Sequence, residues 1–161
     1  MSRRPAARAA TKSSRSATSS GASQRARVPV IRSAWRVLLV LFAGSLWSLA
    51  AWVALTIFDT LGNAGLAGAV AARLFSIETY LGLGVAALAL LLPARRRLGG
   101  LYLAAVLLAC NEWALKPGMT AAHAHGSALG LSFGAWHGIA GGIYLIACLA
   151  MLMVVWNERY R

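Results

Sequence analysis

The chain has 161 residues, 59% hydrophobic and 12% charged, with a mean hydropathy of +0.65. Sixteen Lys and Arg against four Asp and Glu give a net charge of +12. A charged fraction about half that of soluble domains argues against a water-soluble globular fold, and this length suits one domain.

Residues 1–33 are Ser, Ala and Arg punctuated by Pro5 and Pro29, without an acid and without apolar periodicity. Such a segment buries too little surface to offset its chain entropy, so a disordered basic tail is expected. The same composition describes an organellar transit peptide. The reading adopted is a retained cytoplasmic tail held near anionic lipid by its charge. No aromatic or folded motif in it supports binding to nucleic acid.

Apolar runs follow at about 34–58, 77–93, 98–115 and 133–156. A span needs roughly 20 apolar residues, which the outer two runs meet easily and the middle two barely. Pro93-Ala94-Arg95-Arg96-Arg97 separates the middle pair, since three arginines inside one long membrane helix would be far costlier than a tight polar turn. Between the first two runs, Thr60 to Phe75 is small and glycine-rich, with Leu66, Val70 and Leu74 recurring every four residues. It reads as a short interfacial or re-entrant helix. The expected fold is all-α: a four-helix integral membrane bundle over residues 34–161.

Basic residues set the orientation. With the amino terminus inside, only Arg73 and Lys116 of the sixteen fall on the outer side. The positive-inside rule then places both termini in the cytoplasm, with Trp35 and Trp156 at the inner boundary. The alanine, arginine and leucine bias suggests a GC-rich bacterial source, and the expected location is a bacterial inner (plasma) membrane.

The ionisable residues gather at the opposite face. Counting from the helix ends brings His137, Glu112 and Asn111 to nearly one depth, with Glu78 opening the second span and Asp59 closing the first. Arg73 is expected to reach Asp59 or Glu78, and His123 and His125 to lie on a flexible loop. In the fourth span Gly134, Gly138 and Gly142 recur every four residues and form a groove for close helix packing. Two neighbouring stripes, His137-Gly141-Tyr144-Cys148 and Ser45-Ser48-Trp52-Thr56-Asp59, are expected to face inward. Cys110 and Cys148 differ too much in depth for a disulfide and read as small apolar packing residues.

Several of these segments together carry a resemblance. "LAGAVAARLF" (Leu66 to Phe75) precedes the second span, Asn111 and then "KPGM" (Lys116 to Met119) close the third, and "FGAWHG" (Phe133 to Gly138) heads the fourth. Over roughly residues 38 to 156 this order resembles the transmembrane-protein-205-like family, whose bacterial branch is domain of unknown function 4149. The resemblance implies a four-helix integral membrane protein with Phe75, Asn111, Pro117, Phe133 and His137 at family-like positions. It implies no settled activity, and "AAHAHG" (Ala121 to Gly126) matches none of its motifs.

Three readings of function stay open. The first is a membrane scaffold or accessory protein, with Asn111, His137, Glu112, Asp59 and Arg73 as structural polar groups. Within it, Glu112 and Lys116 can form an i, i+4 ion pair. The second is a divalent metal or haem site for ion handling or export, built from His137, Glu112, Glu78, His123 and His125. The third is small-solute transport by a homo-oligomer, since four spans are few for a carrier and no inverted repeat is visible. No nucleophile with an activating base and no cofactor motif points to an enzyme.

Overall fold

The computed structural model describes residues 17–91 and 98–159. The expected turn at Pro93 to Arg97 and the tail before residue 17 lie outside the described residues. The chain divides into two compact units, Met1–Val37 and Leu38–Arg161. In the first, helix α1 (Ala17–Ser48) already begins inside the segment expected to lack structure. Its Ala, Gln and Arg are good helix formers, and adding a residue to an existing helix is far easier than starting one.

In the second unit, α1 continues through a π-helical turn (Leu49–Val53) into α2 (Ala54–Leu61). Gly62 then adopts the left-handed conformation, at φ 58°, that ends a helix at no steric cost to glycine. Asn63 caps the next helix at once, its Oδ1 accepting the Leu66 amide at 3.0 Å. That helix, α3, runs unbroken over Ala64–Leu91. The segment expected as a separate interfacial helix is therefore the first part of α3, packed against α2. The reason is local: from Asn63 to Leu91 there is no proline, and the Ser76 and Thr79 hydroxyls bond back to the Ala72 and Phe75 carbonyls within the helix instead of capping a new one.

Helix α4 (Gly99–Cys110) leads through a second π-helical turn (Asn111–Leu115) into α5 (Lys116–His125). Pro117 explains this turn. It has no N–H to bond the carbonyl four residues back, and the preceding Lys116 amide reaches five residues back to the Asn111 carbonyl instead. A two-residue hairpin follows, β1 (Ser127–Ala128) paired with β2 (Leu131–Ser132), turning through Leu129 and Gly130 at positive φ. Ser132 Oγ then accepts the Ala135 amide at 3.3 Å, capping α6 (Phe133–Arg159).

Among the described residues three helices are long and apolar enough to cross a membrane: Val30–Leu61, Ala64–Leu91 and Phe133–Glu158. The third expected span, 98–115, is not among them, because its apolar stretch covers about 18 Å before Asn111 and Glu112 interrupt it. Small residues draw α4 against both α6 and α3. A Cβ on Gly100 would stand 2.7 Å from Val154 and 2.9 Å from the Ala150 carbonyl oxygen. One on Gly82 would meet Phe42 of α1 at 2.9 Å. Leu39, Leu46, Leu101, Leu108, Cys148 and Met151 are fully buried, while Leu90, Leu91, Val106 and Met153 point outward. An apolar outer surface is what contact with lipid requires.

The expected glycine groove takes no neighbouring helix among the described residues. Side chains added at Gly138 and Gly142 would meet nothing within 4 Å, and one at Gly134 only the Ser132 hydroxyl. The glycines that admit a neighbour are Gly82, Gly100 and Gly118. Sequence spacing identifies a smooth edge but not which side of the helix the partners approach.

Candidate functional site

The interior polar side chains form a chain of contacts between helices. On α3, the quartet Ser76-Ile77-Glu78-Thr79 buries its three polar members. Ser76 Oγ lies 3.0 Å from both carboxylate oxygens of Glu112 and 3.0 Å from the Ala72 carbonyl, and it accepts from Lys116 Nζ at 2.7 Å. Lys116 also donates to Glu112 Oε1 at 2.5 Å, which is the i, i+4 pair read from the sequence. The π-helical turn sets this arrangement. Asn111 and Glu112 are adjacent in that turn and point to different sides, so Glu112 reaches α3 while Asn111 donates to the Ala140 carbonyl of α6 at 3.2 Å. Asn111 therefore bonds to the backbone of the helix that carries His137, not to its ring.

Deeper in the same unit, Ser45 Oγ stands 3.2 Å from Glu78 Oε2 and 2.9 Å from the Phe42 carbonyl oxygen. Thr79 donates to the Phe75 carbonyl at 3.0 Å and lies 3.5 Å from that of Leu108. Tyr144, buried on α6, donates to the Leu46 carbonyl of α1 at 3.3 Å and meets Phe75 edge-on, ring centroids 4.8 Å apart. Replacing Tyr144 with Phe keeps the ring contact and removes the bond that ties α6 to the Leu46 carbonyl. A loss of about 1 kcal/mol in thermal unfolding of the detergent-solubilised protein is expected.

The histidines lie elsewhere. His123 and His125 sit on helix α5 rather than a flexible loop, and both are exposed. Two residues apart on a helix, they point to nearly opposite sides and do not aim at one ion. The exposed His137 stacks on Phe133 with centroids 5.9 Å apart, and Phe133 in turn lies 5.1 Å from the His123 ring. Asp59 and Arg73 are exposed, and Arg73 pairs with neither Asp59 nor Glu78. Among the described residues, no three of His, Cys, Asp and Glu gather as metal ligands do. An open cleft of about 540 Å³ beside Lys116 is shared by Glu112 and His125 alone of the candidate ligands.

Of the two stripes expected to face inward, only Ser45, Tyr144 and Cys148 turn toward the interior. Ser48, Trp52, Thr56, Asp59, His137 and Gly141 are exposed. The residue missed from sequence is Ser76, which joins Glu112 and Lys116. Its signal was present: Ser76, Glu78 and Thr79 are three polar residues within four positions of an otherwise apolar run.

Residues 37–128 match the family described as Domain of unknown function (DUF4149). That stretch includes Ser45, Ser76, Glu78, Asn111, Glu112 and Lys116, together with the family-like Phe75 and Pro117. No curated protein and no solved structure matches the chain. With more than half its length matched, and helices fit to cross a membrane, the chain belongs to the DUF4149 family of membrane proteins of unsettled activity.

Proposed function

We propose that this protein is a non-catalytic scaffold or accessory subunit of a bacterial inner membrane. The observation that carries the reading is how its interior polar groups are engaged. Ser76, Glu112, Lys116, Asn111 and Tyr144 bond to neighbouring helices, where they fix register, instead of converging on a ligand. Contacts of α1 with α3 and α6, and of α4 with α3 and α6, support a four-helix bundle with Gly99 to Leu115 as the remaining span. The charge distribution supports cytoplasmic termini and a basic tail at anionic lipid. The motif order around Phe75, Asn111, Pro117, Phe133 and His137 supports kinship with the transmembrane-protein-205-like family. Metal or haem binding and solute transport draw no support from the positions of His123, His125 and His137.

A scaffold presents a surface to another protein. The edge Gly134-Gly138-Gly142 takes no neighbouring helix among the described residues, continues into the exposed Leu145 and Leu149, and is suited to close helix approach. A photo-crosslinking residue at Leu145, activated in native membranes, is expected to yield a discrete protein adduct, either a second copy or another membrane protein. Lipid adducts alone, at Leu145 and again at Leu149, would overturn the scaffold reading.

A further inference from the structure

Glu78 differs from the other interior polar groups. It is 8% exposed, yet no cationic side chain pairs with it among the described residues. Helix α4 carries no charged residue, and Lys116, on α5, is engaged with Glu112 and Ser76. From α1 the facing group is the Ser45 hydroxyl. From α6, Tyr144 and Cys148 lie within electrostatic reach of the carboxyl, and neither bears a positive charge in any protonation state. The Asp59 carboxyl of α2 and the Arg73 guanidinium of α3 are both exposed. A carboxylate anion buried in such surroundings without a counter-ion is costly, and a neutral acid removes most of that cost.

The hydrogen-bond geometry points the same way. A serine hydroxyl has one proton. The Phe42 carbonyl lies 2.9 Å from Ser45 Oγ, closer than Glu78 Oε2 at 3.2 Å. The Ser45 hydroxyl donates to Glu78 Oε2 and to the Phe42 carbonyl, so its one proton is shared and gives the carboxyl far less than a counter-ion would. One hydroxyl is also far from the several oxygen ligands that a bare metal cation takes, so the ligand that fits is a proton. Access is short: Arg73, charged and exposed on the same helix, stands about 7.5 Å along the axis from Glu78, and a guanidinium costs least at the water boundary.

We propose that Glu78 is a proton-binding site within the helix bundle, held as a neutral carboxylic acid against Ser45 and exchanging its proton with the aqueous phase at the α2–α3 end. This goes beyond scaffolding, and neither reading depends on the other. The test uses the full-length protein in membranes and dicyclohexylcarbodiimide, an apolar reagent that adds to protonated carboxyls. Peptide mass mapping is expected to find the adduct on Glu78 and not on the ion-paired Glu112, with labelling that falls as pH is raised. The readout is on the wild-type chain and needs no variant to fold. As a second measurement, Glu78→Gln, which mimics the neutral acid, is expected to retain the wild-type thermal midpoint. Glu78 left unlabelled from mildly acidic to alkaline pH, or Glu78 and Glu112 labelled equally, would overturn the proposal. So would a Glu78→Gln variant with a midpoint lowered as far as that of Glu78→Lys.

Discussion

Gly100→Ala is expected to destabilise the protein by about 2–3 kcal/mol, the upper part of the range for overpacked sites, whereas Gly138→Ala leaves stability within about 0.5 kcal/mol. The two glycines look equally permissive in sequence, but their surroundings differ. At position 100 a methyl group would press on Val154, which can rotate, and on the Ala150 carbonyl oxygen at 2.9 Å, which cannot. Relief therefore requires α4 and α6 to separate along their length. At position 138 the same methyl meets open space, and alanine is the better helix former. Thermal unfolding of both variants in one detergent checks the pair. Equal midpoints would show that α4 and α6 do not approach as closely as described.

The second large effect is at Lys116. Its replacement by Ala strands Glu112, whose side chain is 13% exposed, beside a single hydroxyl donor. Breaking a fully buried pair costs about 3–5 kcal/mol. The Lys116 side chain is 38% exposed, so water screens the pair and about 2 kcal/mol is expected here. Adding Glu112→Gln removes the stranded charge and is expected to recover about half of the loss. A double-mutant cycle by thermal unfolding measures the coupling. Strict additivity of the two substitutions would exclude the Ser76–Glu112–Lys116 network as a unit.

Much of this architecture is legible in the sequence, and the losses have physical causes. Hydropathy finds the long apolar helices because a run such as Phe133 to Trp156 has no charged side chain to interrupt it. The i, i+4 pair of Glu112 and Lys116 is legible because helical spacing alone brings the two together. Helix azimuth is harder. Ser45 and Trp52 lie on one stripe, yet Ser45 turns to Glu78 while Trp52 is 75% exposed. The π-helical turn at Leu49–Val53 lies between them and shifts the register that a uniform period of 3.6 assumes. The turn before Pro117 likewise carries the helix on to His125, where polar composition alone reads as loop. Depth does not name a partner: Asn111 lies at the depth expected for His137, yet its amide donates to the Ala140 backbone carbonyl.

The uninterrupted length of α3 has a consequence for the bilayer itself. Twenty-eight residues extend about 42 Å, against a hydrocarbon layer of about 30 Å. With the charged Arg73 set at the water boundary, where a guanidinium costs least, the first ten residues lie beyond the lipid and about 27 Å is left to cross it. In a thinner membrane the helix tilts or draws the lipid up toward Arg73, and in a thicker one Arg73 is pulled toward hydrocarbon. A helix so placed matches a bilayer of ordinary thickness, and its partition between thick and thin membrane regions would follow from where one arginine interrupts it.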